Sequence, residues 1–137
     1  MNNEKLELLK IIGPTYYYRS VDNIIYMDSP KEQQVPIELD HMKSSYLYLK
    51  ELSIQENRPL KVLVDFSKVR RISKETRDYM RGAEAKSFAP YIQGTALITN
   101  SQLSKMLGNF VLGTLKGDEE TRLFTNEEKA IEWLKQL

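Results

Sequence analysis

The chain has 137 residues, a length that predicts one domain, spanning residues 1–137, with a sizeable buried core. Its 20 lysines and arginines nearly balance its 19 acids, and a net charge of +1 argues against a general nucleic-acid or membrane-surface binder. The absence of cysteine and the single histidine exclude disulfides, thiolate metal ligands and multi-histidine metal sites. We therefore predict no metal and no cofactor.

Targeting signals are not evident in the sequence. The amino terminus, MNNEKLELLK, is charged and lacks the apolar centre of a secretory signal. No apolar run approaches the ~20 residues that a membrane-spanning helix needs. These features predict a cytoplasmic protein without a membrane span.

The amino-terminal part reads as three short strands. Leu6–Ile12 is mostly apolar and is ended by Gly13 and Pro14. Thr15–Arg19 and Ile24–Met27 follow, and the short polar segment between them predicts an antiparallel hairpin. Within the three adjacent tyrosines, the alternation of a strand places one ring on the face opposite the other two.

A long amphipathic helix is predicted next. Pro36 suits its first position, and the helix is expected to end near residues 55–58, before Pro59. Apolar residues recur at three- and four-residue steps, which marks the buried face. They are Leu39, Met42, Tyr46 and Leu49.

The stretch Leu60–Thr76 is the centre of the predicted fold. Its first seven residues are nearly all apolar and rich in β-branched side chains, which predicts a strand buried on both faces and therefore central in a mostly parallel sheet. Asp65 lies near its carboxyl end, where ligands gather in open α/β sheets. The alternative, which we favour, is that its carboxylate accepts backbone N–H groups of the following loop.

A second helix is predicted from about Lys74 to the residues before Pro90. Ser73 is a suitable N-cap, because its hydroxyl accepts an N–H group of the first turn. Such a helix start also attracts anions, and Arg70 and Arg71 would strengthen that attraction.

The remaining elements alternate. Ile92–Thr99 predicts another strand buried on both faces, and Asn100 or Ser101 can cap a third helix. Thr121–Phe124 predicts a short strand, and Thr125–Glu128 matches a capping box. The third helix has an apolar face formed by Leu103, Met106, Leu107, Phe110 and Val111, and the fourth buries Ala130, Trp133, Leu134 and Leu137.

The predicted order is β-β-β-α-β-α-β-α-β-α. Strand and helix alternate in the second half, which favours right-handed parallel crossovers. The fold class is therefore α/β, a mixed sheet with a parallel core, an antiparallel amino-terminal hairpin and about four helices.

This order and the central residues resemble the STAS domain, the module of anti-sigma-factor antagonists and of sulfate-transporter cytoplasmic tails. The similarity is closest to small, stand-alone bacterial STAS-like proteins and covers about residues 6–137. It is carried by the strand Val62–Phe66 with its loop into Ile72 and Ser73, and by the strand that ends at Thr99. The carboxyl-terminal segment also contributes Leu123, Phe124, Thr125, Glu128, Ala130, Trp133 and Leu134.

The resemblance implies a non-enzymatic regulatory module that binds proteins. In anti-sigma antagonists an Asp-Ser-Ser-Gly run opens the second helix, and its first serine is phosphorylated. Here the run reads Ser73-Lys74-Glu75-Thr76, so lysine occupies the position of that serine. The usual phosphorylation motif is lacking, and Ser73 is the remaining, weaker candidate for phosphorylation.

Three functional hypotheses follow. The first is a binder of another protein, or of a second copy, through the loop 67–72 and the starts of helices two and three. The second is a binder of a small anion or lipid at the carboxyl edge of the sheet. The candidate residues for either are Asp65, Ser67, Arg70, Arg71, Ser73, Lys74, Arg77, Asn100 and Ser101. The third and remotest is a hydrolase using Asp65 and Ser73.

Overall fold

The computed structural model describes residues 6–29, 37–69, 71–102, 105–106, 109 and 120–137. Six strands form one sheet in sequential order. Their bounds are β1 (Glu7–Ile12), β2 (Thr15–Arg19), β3 (Ile24–Asp28), β4 (Leu60–Asp65), β5 (Ile92–Ile98) and β6 (Glu120–Phe124). The helices of the described residues are α1 (Leu39–Glu56), α2 (Lys74–Met80), α3 (Ala83–Lys86), a 3-10 turn (Ala89–Tyr91) and α4 (Glu127–Lys135).

The sheet is mixed, as predicted. Strands β1, β2 and β3 form an antiparallel meander, and the pairs β3–β4, β4–β5 and β5–β6 are parallel. The antiparallel hairpin of β2 and β3 is confirmed. Strand β4 lies between β3 and β5, so its central position, on which the fold prediction depended, is confirmed as well.

Alternate residues of β4 define the two faces of the sheet. Val62 packs with Leu49 and Leu52 of α1, while Leu63 packs with Ala130 and Leu134 of α4. On the first face, farther along the strands, Met80 of α2 packs against β4 and β5. The two helices that follow β3 and β4 thus cover one face, and α4 covers the other.

Helix α1 begins later than predicted and ends where expected. Its first residue is Leu39 and its N-cap is Glu38, whereas Pro36 lies outside the described residues. Asn57 adopts the left-handed conformation with φ of 56°, and its backbone N–H donates to the carbonyl of Ile54. This C-cap satisfies carbonyl groups of the last turn.

The continuous second helix is a wrong prediction. The segment is divided into α2 and α3, because Gly82 adopts an extended conformation between them and becomes the N-cap of α3. Glycine is a poor residue for a helix interior, since it loses the most backbone freedom on folding. The regular apolar spacing across the segment concealed this break.

The third predicted helix falls largely outside the described residues. Gln102, Lys105, Met106 and Asn109 are helical, and the backbone N–H of Lys105 donates to the carbonyl of Ser101. The helix α4 lies as predicted, but its N-cap is Asn126, whose side chain accepts the N–H of Lys129, and not Thr125 of the predicted capping box.

Candidate functional site

The carboxyl ends of β3, β4 and β5 meet at one edge of the sheet, which we call the carboxyl edge. Asp28 ends β3, Asp65 ends β4, and Ile98 ends β5 opposite Asp65. The backbone N–H of Phe66 donates to the carbonyl of Ile98, so the loop after β4 leaves the sheet beside β5. Asn100, two residues beyond Ile98, is exposed at the same edge. The first residues after β4 therefore lie beside the first residues after β5.

Asp65 is engaged by the loop that follows it. Its carboxylate accepts the backbone N–H of Ser67 at 2.9 Å and the Ser67 hydroxyl at 2.5 Å. This is the hydrogen-bonded turn that we favoured from the sequence. The side chains of Asp65 and Ser67 therefore hold the local backbone of the loop.

Asp28 is a neighbour of Asp65 that sequence reasoning missed. In the parallel register of β3 and β4, Met27 lies opposite Val64, which places the two strand-terminal aspartates side by side. Burial raises the pKa of Asp28 above its ordinary 3.8, and the charge of Asp65 raises it further, whereas Lys68 lowers it. The carboxyl edge therefore carries two close acidic groups.

The pH dependence of stability is expected to report this pair. Because folding raises the pKa of Asp28, the folded state loses relative stability as the pH rises from the ordinary value through the raised one. Asp28→Asn should therefore raise the melting temperature at neutral pH, and this gain should vanish below about pH 3.8, where Asp28 is protonated in both states.

Thermal melts at several pH values would measure the effect. As a matched variant, Asp65→Asn removes the neighbouring charge and should shift the pKa of Asp28 toward its ordinary value in an NMR titration. An Asp28→Asn protein that is no more stable than the original at neutral pH would contradict the proposed repulsion.

Ser73 and Thr76 are occupied by internal hydrogen bonds at the start of α2. The Ser73 hydroxyl accepts the backbone N–H of Thr76 and lies 2.7 Å from the Thr76 hydroxyl. Thr76 is fully buried, and its hydroxyl donates to the carbonyl of Ile37 at 2.9 Å. The predicted N-cap role of Ser73 is confirmed. Both hydroxyls stabilise the junction between α2 and the segment that precedes α1.

The same junction is reinforced by the backbone. The N–H of Ile37 donates to the carbonyl of Arg71, and Ile37 and Ile72 form an isolated parallel bridge. The N–H of Ser73 donates back to the carbonyl of Ile37. These contacts fix the end of the loop after β4 against the segment that precedes α1, and Arg71 is exposed.

Exposed cations continue from this loop along α2. Arg71, Lys74, Arg77 and Arg81 are all exposed, and three of them surround Asp78. A hydrogen bond from Lys74, at 2.9 Å, lowers the pKa of Asp78, and the charges of Arg81 and Arg77 lower it further. We call these four cations the basic strip. Arg70, also predicted to contribute, lies outside the described residues.

The two residues of the hydrolase hypothesis and the single histidine of the chain, His41, have separate partners. Asp65 bonds to Ser67, and Ser73 bonds to Thr76. His41 packs against Gly13, so closely that a Cβ atom on that glycine would lie 2.6 Å from the imidazole. Gly13 has φ of 55°, a conformation that favours glycine, and this explains its place in the turn between β1 and β2.

A depression on the described surface lies away from the carboxyl edge. An open depression of about 400 Å³ lies at the opposite end of the strands, lined by Leu6, Glu7, Arg19, Ser20 and Val21. Among the described residues, no group of three or more histidines and acids is placed to hold a metal ion. No helix in the described part of the chain is long and apolar enough to cross a membrane.

Comparison with known proteins identifies a family. A domain of unknown function, DUF7793, matches residues 17–137. The chain belongs to the DUF7793 family. The DUF7793 match begins within β2, at Tyr17, and covers every element after it. No curated protein matches the sequence.

A solved structure supports the fold of this DUF7793 chain. It is similar to the crystal structure of an uncharacterized protein from the DUF3478 family with a SpoIIAA-like fold, from Shewanella loihica PV-4. The TM-score is 0.56 over 98% of each chain, at 12% sequence identity. At this identity the similarity shows the fold alone, and that fold is of the type that the resemblance to STAS domains implies.

Proposed function

We propose that this protein is a non-enzymatic regulatory module of STAS type that binds an acidic protein partner. The docking surface consists of the loop 67–72 and the basic strip along α2. The observation that carries the proposal is the exposure of the four cations of the basic strip, which outnumber the two acids of α2, Glu75 and Asp78. Complementary charge steers association and selects partners.

The local hydrogen bonds favour binding over catalysis. Ser73 and Thr76 use their hydroxyls on the helix start, and Asp65 uses its carboxylate on the loop. Lys74, with a side chain 80% exposed, stands where the resemblance would require a phosphorylatable serine. A lysine at that position is always positively charged and cannot be phosphorylated by a serine kinase. It therefore suits a contact that phosphorylation at that position does not control.

A small anion at the carboxyl edge is the less favoured alternative. The charge of Asp65 would repel an anion, and it adds to burial in raising the pKa of Asp28. The N–H of Thr76 at the start of α2 is already bonded to Ser73. We therefore propose a macromolecular partner and not an anion or lipid for this surface.

The test is charge reversal on the docking surface. Two double variants, Arg70→Glu with Arg71→Glu and Lys74→Glu with Arg77→Glu, would be compared with the original protein in pull-downs from its native host. The partner would then be purified and its affinity measured by calorimetry. Each double variant is expected to weaken binding by about tenfold or more, since rim charges that lose attraction also gain repulsion.

The control is a charge reversal at a residue on the opposite face of the sheet. Lys129→Glu on the exposed part of α4 should leave the affinity unchanged. Partners that bind both double variants as tightly as the original protein would rule out this surface. Intact-mass measurement of protein from the host would show whether any hydroxyl carries a phosphate.

A further inference from the structure

The strand β1 is an unpaired edge. In the part of the chain that the structure describes, β1 pairs with β2 on one side and has no strand on the other. Such an edge presents backbone N–H and C=O groups that can pair with another strand. Leu8 and Ile11 of β1 are each 50% exposed, so apolar side chains accompany the unpaired backbone groups.

A β-bulge in β1 changes which side chains point to each face of the sheet. The register passes from Leu8 opposite Tyr18 to Lys10 opposite Tyr17, so Leu9 is the extra residue. The bulge places Glu7 and Lys10 on the same face, which is that of α1.

Contacts confirm this assignment of faces. Glu7 lies 3.9 Å from Arg19, and the Lys10 ammonium lies 5.2 Å from the ring centre of Tyr48 on α1. Leu8 and Ile11 point to the opposite face, because their partners in β2 are Tyr18 and Tyr16.

The face that carries Leu8 and Ile11 is covered by one helix among the described residues. Helix α4 packs mainly on β5, β4 and β6. The first two strands lie farther away, and there Tyr16 and Tyr18 stack on each other with ring centres 6.5 Å apart. The apolar side chains of β1 are thus left open beside a free backbone edge.

We propose that β1 pairs antiparallel with β1 of a second copy, about a twofold axis through Leu8 and perpendicular to the sheet. This arrangement joins the two six-stranded sheets into one continuous sheet. Leu8 lies opposite Leu8 of the other copy, and Leu6 lies opposite Ile11 on the same face. On the face of α1, Glu7 of each copy lies opposite Lys10 of the other.

The charges select this register. Residues that lie opposite each other must point to the same face of the sheet, so the twofold axis must pass through a residue. Moving the axis to the next residue shifts the pairing by two positions. The neighbouring register centred on Glu7 would oppose two glutamates, and the one centred on Lys10 would oppose two lysines. Among registers that pair only the described residues 6–12, the one centred on Leu8 is the one that makes two attractive pairs, and like charges directly opposite are destabilising.

This self-complementarity is the reason for choosing a second copy as the occupant. A twofold interface uses the same surface on both subunits, so each residue must fit its counterpart. Charges and bulges also prevent indiscriminate pairing of edge strands. Among the described residues of β1, the charges disfavour the registers centred on Glu7 and Lys10 and favour the one centred on Leu8. The interface is separate from the docking surface on α2, so the two proposals can fail independently.

The first experiment is sedimentation equilibrium across the micromolar range at physiological ionic strength. The original protein is expected to dimerise. Glu7→Lys and Lys10→Glu each place like charges opposite one another and are expected to weaken dimerisation by about tenfold or more. Mixing the two single variants restores opposite charges at both pairs, so it should restore a heterodimer. Lys129→Glu on α4 serves as the control and should dimerise normally.

Disulfide cross-linking is a second test of this interface. It is straightforward because the chain contains no cysteine of its own. Leu8→Cys should form a disulfide between copies under mild oxidation, whereas Leu47→Cys, at an equally exposed position on α1, should not. Thermal melts would establish that both charge variants fold. The proposal is overturned if the original protein is monomeric, if either single reversal dimerises as well as it does, or if the folded mixture forms no heterodimer.

Discussion

Replacement of Leu63 with alanine is expected to lower the free energy of unfolding by about 3–5 kcal/mol, as large buried-to-alanine substitutions do. Leu63 is fully buried in β4 and packs with Ile24, Ala96, Ala130 and Leu134. It therefore joins two neighbouring strands to α4. The loss has two parts, the transfer free energy of the removed methyl groups and the cavity that the surrounding strands cannot close.

The location of Leu63 explains why the cavity should persist. Strands β3 and β5 are fixed on either side of β4 by parallel ladders. A sheet that is hydrogen-bonded on both sides cannot collapse sideways, so the substituted site has little freedom to relax. A domain of ordinary stability would lose a large share of its free energy of unfolding.

Urea unfolding with the slope checked against the original protein would measure the change. The matched control is Leu47→Ala, which truncates a leucine that is 51% exposed on α1 and should cost less than about 0.5 kcal/mol. Equal effects of the two truncations would contradict the central position of β4. The amide exchange of all six strands should accelerate together in Leu63→Ala, because the substitution acts on the whole sheet.

The central position of β4 could be predicted because its sequence leaves little choice. Val62 and Leu63 are adjacent apolar residues that point to opposite faces, so both faces of that strand need cover. The tyrosines of β2 obey the same alternation. Tyr17 is buried against α1, while Tyr16 and Tyr18 stack together on the other face. Local alternation was enough to predict each of these.

The break at Gly82 and the N-cap of α4 needed information that spacing does not contain. Tyr79, Met80 and Ala83 retain helical spacing across the break, so the apolar pattern alone predicts one helix. The glycine was the available signal. For α4, Thr125 and Asn126 are adjacent capping residues, and the chain direction after β6 decides between them. The choice of N-cap depends on the direction in which the backbone leaves the preceding strand.

The Asp28–Asp65 pair depended on strand order and so could not be predicted from either residue. Both aspartates end apolar strands, but many strand orders would separate them. The pair forms because β3 lies next to β4 and runs parallel to it. The free edge of β1 depended on strand order in the same way. Features that need two distant segments to be neighbours appear only when the topology is known.

The second large effect concerns α4, the helix that packs on the face of the sheet opposite to α1 and α2. Truncation of Leu134 to alanine is expected to cost about 3 kcal/mol, again as transfer plus cavity. Leu134 is fully buried in α4, a helix of nine residues. A helix this short has little stability of its own in water, so its packing on the sheet is what keeps it folded. Leu134 and Ala130 are its two buried residues.

The mode of unfolding should distinguish Leu134→Ala from Leu63→Ala. Because α4 is short and is held by two buried residues, its weakened contact allows it to open while the sheet remains folded. Amide exchange in α4 should therefore accelerate more than exchange in β4 and β5. Lys129→Ala, at an exposed position of the same helix, is the matched control and should leave exchange in α4 nearly unchanged. Uniform acceleration across helix and sheet in Leu134→Ala would show that α4 and the sheet unfold as one cooperative unit, contrary to this expectation.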